Sequence, residues 1–144
     1  MKTKYVFDVD GTLTPSRGLI DPEFKAFFNA FCLFNDVYLV TGSDRDKTIE
    51  QVGEDTYNLC KRVYQCSGND VWERDVNIRT NGWIIPTEVH QLLREFVRLS
   101  EFPIRAGNHI EERPGMVNFS IVGRNASLEQ RAEYVAYDTR KKER

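Results

Sequence analysis

The sequence predicts an α/β fold, with a parallel sheet of linked β-α-β units over about residues 1–80 and a separate α+β layer over residues 81–144. Two observations predict the first part. Apolar runs at residues 5–7, 36–40 and 62–66 alternate with stretches of helical apolar spacing, the order expected of parallel strands joined by right-handed crossovers. The first two runs open into polar loops, which is where open α/β sheets bind their ligands. A third observation predicts the change of layer: beyond residue 70 the strands become short and half-exposed in pattern, and an amphipathic helix and two more strands follow.

Taken in order, Tyr5-Val6-Phe7 reads as a buried strand ending in the polar loop Asp8-Val9-Asp10-Gly11-Thr12. Asp21-Pro22 supplies a helix cap and a proline at the first helical position, and Phe24, Phe27, Phe28, Phe31 and Phe34 follow at helical spacing as an expected core stripe. The second strand, 36–40, ends in Thr41-Gly42-Ser43-Asp44, where Ser43 with Asp46 reads as a capping box for a helix closing near Gly53. A short helix over 54–60 leads to the third strand, and 71–73 and 76–79 read as the short strands that follow. After Pro86, residues Val89, Leu92, Leu93, Phe96 and Val97 mark one face of a helix. Strands over 109–112 and 116–122 are separated by the turn Arg113-Pro114-Gly115. Ser127 with Gln130 is a second capping box, opening a last helix that runs into the basic end 140–144.

Composition excludes several classes. The 144 residues are 40% hydrophobic, 29% charged and 12% aromatic, inside the globular range and outside the disordered and collagen-like ones. Lys plus Arg number 20 against 22 Asp plus Glu, a net charge of −2 that points to no nucleic-acid or membrane partner. No window approaches about 18 uninterrupted apolar residues. Met1-Lys2-Thr3-Lys4-Tyr5 leads to Asp8 and Asp10 instead of a secretory apolar stretch, so a soluble, cytoplasmic protein is expected. Cys32, Cys60 and Cys66 are odd in number, without CxxC spacing or a nearby histidine pair. They are expected as small apolar fillers, with neither a disulfide framework nor a zinc site.

Three groups of residues carry chemistry. Asp8 and Asp10 stand at i and i+2 on a strand end and so share a face, and the Gly11-Thr12 that follows lets the backbone bend toward an anion. A carboxylate there can act as a nucleophile or hold a divalent cation, while its neighbour moves a proton. At the second strand end, Thr41, Gly42 and Ser43 offer hydroxyls and helix N-terminal amides for a phosphate oxygen. A helix cap explains Ser43 equally well, and Lys47 reads as a solvated lysine. Third, Arg17, Arg113, Arg124 and Arg131 lie near strand ends and loops, where each could clamp a phosphate by bidentate, charge-assisted hydrogen bonds or form a surface ion pair.

The string Phe7-Asp8-Val9-Asp10-Gly11-Thr12-Leu13-Thr14 resembles the first motif of the haloacid dehalogenase superfamily of phosphoryl-transfer enzymes. The resemblance implies that Asp8 becomes an aspartyl phosphate, that Asp10 serves as general acid and base, and that both help hold Mg²⁺. The run from Gly107 to Arg131, G-N-H-I-E-E-R-P-G-M-V-N-F-S-I-V-G-R-N-A-S-L-E-Q-R, resembles the cap-domain signature of eukaryotic-type phosphomannomutases. Arg113, Arg124 and Arg131 match the family arginines that hold the phosphate of the sugar that is not reacting, and Arg17 matches the family arginine shortly after the first motif. Gly42-Ser43-Asp44, Lys47, Glu50-Gln51 and Gly53 also follow the family.

By this resemblance the fold is a Rossmann-like haloacid dehalogenase core with an α+β cap. The activity is the interconversion of mannose 6-phosphate and mannose 1-phosphate for GDP-mannose synthesis, with a hexose 1,6-bisphosphate as activator and a small sugar phosphate as the ligand. Three departures stand against it: Thr41 replaces a family glycine, Cys66-Ser67-Gly68 replaces Glu-Asn-Gly, and family members continue beyond the position of Arg144 through the rest of the cap and an acidic metal-site loop. An incomplete cap and core are therefore expected, with the strand at 5–8 on an exposed sheet edge if the family sheet order holds. The alternatives left open are a sugar-phosphate phosphatase of the same superfamily and a non-catalytic sugar-phosphate-binding fragment or subunit. A homodimer through the cap, or a second chain supplying the remainder, are the partner arrangements considered.

Overall fold

The computed structural model describes residues 3–142, so Met1 and Lys2 of the N-terminal reading and Glu143 and Arg144 of the basic end lie outside the described residues. The chain divides into two compact units between Gly82 and Trp83.

In the first unit, β1 (Lys4–Asp8), β2 (Asp36–Val40) and β3 (Arg62–Gln65) run parallel, and β4 (Asp70–Glu73) and β5 (Val76–Thr80) extend the same sheet antiparallel, in the order β1-β2-β3-β4-β5. Helices α1 (Pro22–Phe34), α2 (Arg45–Val52) and α3 (Glu54–Leu59) connect the parallel strands. Alternate residues of β2 and β3 are buried, Val37 and Leu39 on the first and Val63 and Gln65 on the second, as a period of two requires of one covered face. Val37, Leu39 and Val63 form the core with Val9, Leu13, Phe28, Cys32, Val52, Tyr57 and Cys60. β1 lies at the sheet edge and leaves Val6 exposed.

Local chemistry explains each helix boundary. The Asp21 carboxylate accepts from the Phe24 amide at 2.9 Å and Pro22 opens α1. Gly53, at φ 87°, closes α2 and its amide donates to Ile49 O at 2.8 Å. The cap of α2 is a correction: Asp44, not Ser43, is the N-cap, its carboxylate accepting from Lys47 N at 2.9 Å. An ionised side chain is the stronger acceptor for orphan amides and also suits the positive end of the helix dipole.

The aromatic stripe of α1 is only partly core. Phe28 is 2% exposed, whereas Phe27 and Phe34 are 68% and 82% exposed. The helix turns Phe28 and Cys32 toward the sheet, so Phe27 and Phe34, on the flank of the stripe, face outward. Phe7 meets Phe28 edge-on at 5.3 Å and Tyr5 meets Phe31 at 4.9 Å. All three cysteines are free and buried. A side-chain hydrogen bond with Cys32, reinforced by burial, pushes the Cys60 thiol up, and its Sγ also lies 3.4 Å from Thr56 O as a donor.

The second unit comprises α4 (Thr87–Leu99), the hairpin β6 (Ile110–Arg113) and β7 (Met116–Phe119), and α5 (Leu128–Lys141). Phe102, Ile121, Val122, Ala126 and Tyr134 form its core, with Phe102 edge-on to Tyr134 at 5.1 Å. The second hairpin strand ends at Phe119 instead of 122, because Ser120 to Val122 leave the ladder to bury Ile121 and Val122. α4 buries no residue fully, and its Val89, Leu92 and Phe96 are exposed. The Ser127 and Gln130 capping box opens α5 as read.

Phe28→Ala is expected to cost about 3–5 kcal/mol and Phe27→Ala less than about 0.5 kcal/mol, measured by urea unfolding. Equal losses would show that α1 presents another face to the sheet.

Candidate active site

The register Asp8↔Val40 and Val40↔Tyr64 aligns the ends of three parallel strands, so the turns after β1, β2 and β3 leave one edge of the sheet side by side. After β1 the backbone closes tightly: the amides of Thr12, Leu13 and Thr14 all donate to Val9 O at 3.0–3.2 Å, and Gly11 stands at φ 77°, a conformation that an L side chain strains. Asp8 is exposed at the strand end, before this turn.

Asp10 is held in place. Its Oδ1 accepts from the main-chain amide of Arg17 at 2.6 Å and from Gln51 Nε2 at 2.9 Å. Gln51 is 1% exposed and also donates to Thr14 Oγ1 at 3.3 Å and Gly18 O at 3.4 Å, tying α2 to the turn after β1. Arg17, expected to bind through its guanidinium, contributes its amide here and stands at φ 61°.

The second turn is self-satisfied. Thr41 is buried, its Oγ1 accepts from the Ser43 amide at 3.1 Å, and its carbonyl accepts from Ser67 N at 2.9 Å. The Ser43 carbonyl accepts from Cys66 N at 2.9 Å, so the loop after β3 is bound to the loop after β2. Gly42 is exposed between them. The Ser43 amide is therefore already used and Asp44 caps the helix, while the hydroxyl hydrogens of Thr41 and Ser43 are donors this turn can offer an anion. Lys47 pairs with Glu50 at 3.0 Å.

A second polar cluster stands within the other unit. Arg113 Nη2 and Arg124 Nε lie 3.1 and 3.0 Å from the same atom, Glu111 Oε2, which Asn118 Nδ2 also reaches at 3.2 Å. Glu111 and Arg113 share a face of β6, and Asn118 is the cross-strand partner of Glu111. Arg124 follows Gly123, which stands at φ 96° with Ala106 O 2.1 Å from where a Cβ would be. The Arg124 amide donates to Asn108 O at 2.6 Å. Arg131 acts on the loop itself: its Nε donates to Ala126 O at 3.0 Å and its Nη2 to Arg124 O at 2.5 Å. Arg113 and Arg124 thus meet, and Arg131 fixes the segment that carries Arg124.

Two residues of these clusters escaped the sequence reading of the site. Gln51 had one signal, a polar side chain on the face of α2 that also carries the buried Thr48 and Val52. Glu111 had another, its position two residues before Arg113 on a strand.

The fold is that of haloacid dehalogenase-like proteins. A haloacid dehalogenase-like hydrolase from Bacteroides thetaiotaomicron superposes with a TM-score of 0.50 at 21% identity, over 68% of this chain and 38% of that one. The IMP-nucleotidase of Plasmodium falciparum superposes with a TM-score of 0.51 at 13% identity, over 97% of this chain and 46% of that one. Within that class, the eukaryotic phosphomannomutase profile matches residues 25–144. Phosphomannomutase 1 of Mus musculus is 34% identical over 95% of this chain and 55% of its own length. The phosphomannomutase of Glycine max is 34% identical over 92% and 56%, and that of Schizosaccharomyces pombe 32% over 98% and 58%. The chain belongs to the eukaryotic phosphomannomutase family, and it spans about half the length of the curated relatives it matches.

Removing the buried amide should free the turn after β1. In Gln51→Leu the Arg17 amide is expected to exchange its hydrogen about tenfold faster, read by NMR, with the core amide of Tyr57 unaltered. Unchanged exchange at Arg17 would show that Gln51 does not hold Asp10.

Proposed function

We propose that the chain interconverts mannose 6-phosphate and mannose 1-phosphate through an aspartyl phosphate, in the cytoplasm and on the route to GDP-mannose. The observation that carries this reading is the contrast between two neighbouring carboxylates: Asp8 is exposed at the strand end, while Asp10 has one oxygen held by two N–H donors. An open carboxylate suits a nucleophile, and an oriented one suits a proton carrier.

In the first half-reaction an Asp8 oxygen attacks a phosphorus of hexose 1,6-bisphosphate, the activator. The bond from phosphorus to the sugar oxygen breaks, and that oxygen takes the proton of the Asp10 carboxyl. With Asp10 Oδ1 held by Arg17 and Gln51, Oδ2 is the oxygen that carries the proton. In the second half-reaction Asp10, now ionised, takes the proton of the attacking sugar hydroxyl as the aspartyl phosphate breaks, and Asp8 is regenerated. Thr41 and Ser43 serve the reacting phosphate by their hydroxyl donors, Gly42 leaves the turn open between them, and Arg17 contributes from the loop after β1.

The second unit serves as the cap. Arg113 and Arg124, with Arg131 fixing the segment that carries Arg124, bind the phosphate that is not reacting, so either end of the sugar can present itself to Asp8. A cap also keeps water from the aspartyl phosphate, which otherwise hydrolyses.

Asp8 offers a carboxylate and Asp10 its main-chain carbonyl, oxygen donors only, and no group of three or more His, Cys, Asp or Glu suited to a metal occurs among the described residues. That donor set fits Mg²⁺, which keeps several waters when few carboxylates bind it. Bound there, it supplies a Lewis acid that offsets charge on the phosphoryl oxygens. No helix among the described residues is long and apolar enough to cross a membrane.

Incubated with mannose 1-phosphate, Mg²⁺ and hexose 1,6-bisphosphate, the chain is expected to form mannose 6-phosphate, with Asp8→Asn at least about 1,000-fold slower. Release of inorganic phosphate as the main product would make it a phosphatase. Equal inertness of wild type and Asp8→Asn, with sugar phosphate still bound, would make it a binding protein.

A further inference from the structure

We propose that Glu111 is a positioning residue that builds the anion-binding arginine pair of the second unit, an inference that rests on the phosphate-binding role given above to Arg113 and Arg124. One carboxylate oxygen, Glu111 Oε2, is the point at which three elements meet. Arg113 Nη2 lies at 3.1 Å from the same strand, Arg124 Nε at 3.0 Å from the loop before α5, and Asn118 Nδ2 at 3.2 Å from the facing strand.

A carboxylate beside an anion site is at first sight a liability, since it repels the ligand and occupies the donors meant for it. Geometry explains its use. Arg124 stands in an irregular segment, held at its main chain by Asn108 O and Arg131, but these contacts fix the backbone and leave the long side chain its own freedom. Two guanidiniums aimed at one small site also repel each other and splay apart when nothing lies between them. Glu111 removes both difficulties. It offsets the repulsion and draws both guanidiniums, each a planar fork, to one point before any ligand arrives. Asn118, donating to the same oxygen, fixes the carboxylate in turn. The arrangement is partly shielded, with the Arg113 side chain 10% exposed, so its electrostatics are less screened than those of a surface pair.

The sign of one measurement separates this role from mere proximity. If Glu111 only competes with the ligand, neutralising it raises the local positive charge and tightens anion binding. If it positions the arginines, neutralising it weakens binding although the site becomes more positive.

The test uses the chain carrying Asp8→Asn, which stops turnover, with mannose 6-phosphate as the titrant in calorimetry. Glu111→Gln, nearly the same shape without the charge, is expected to raise Kd roughly tenfold. Arg124→Ala should also weaken binding, and adding Glu111→Gln to Arg124→Ala should raise Kd by clearly less than the roughly tenfold expected of Glu111→Gln alone, because part of the carboxylate's effect runs through that arginine. Should Glu111→Gln fail to fold, Asn118→Ala replaces it, with an expected rise in Kd of about threefold. An unchanged or lower Kd in Glu111→Gln, or in Asn118→Ala where that stands in, overturns the positioning role if Arg113→Ala and Arg124→Ala still weaken binding. Full binding in both arginine variants instead overturns the phosphate-binding reading and this inference with it.

Discussion

The parallel register of the first three strands is the constraint on which the catalytic half depends. Pairing Asp8 with Val40 and Val40 with Tyr64 places three strand ends at one level, and each continues into a turn with backbone groups left over for its neighbours. The turns therefore satisfy one another. Thr41 O and Ser43 O accept amides from the loop after β3, and the Gln51 side chain reaches from α2 into the turn after β1. A slip of one residue in this register would move Asp8 away from the loop that follows β2 and turn the buried Leu39 and Val63 to the other face of the sheet.

Within that frame the two aspartates, two residues apart, differ only through their surroundings. Asp8 ends a strand, while Asp10 lies inside a turn where a buried glutamine and a left-handed residue converge on one of its oxygens. The burial of Gln51 is thus part of the chemistry as well as the core. A buried amide away from water needs partners, and the partners available are the groups that shape the turn. The same logic governs the second unit, where a carboxylate, two guanidiniums and an amide on a short hairpin and its neighbouring loop gather at one oxygen.

Sequence reasoning reached the order of the elements because it depends on local rules. Asp21-Pro22, Gly53 and the Ser127 and Gln130 box begin or end helices through groups a few residues away, and all three act as read. It erred where two local solutions compete. Ser43 and Asp44 both suit an N-cap, and the structure uses the ionised one. It erred again where a face had to be weighed against its surroundings, since five phenylalanines at helical spacing make a stripe but the sheet covers only the side of Phe28 and Cys32.

The candidate site divides along the same line. Asp8, Asp10 and the arginines were legible from residue type and spacing, because nucleophiles and anion-binding groups need particular functional groups. What each does in place was not legible. Arg17 serves Asp10 by its amide, Thr41 shapes its own turn, Arg131 braces a loop, and Gln51 and Glu111 organise the groups around them. By itself the sequence determined the strand and helix order, the paired acids and the family resemblance, all of which depend on near neighbours. Tertiary structure alone decided which polar groups meet, because hydrogen bonds between residues 41 and 67 or 10 and 51 exist only once distant segments have packed.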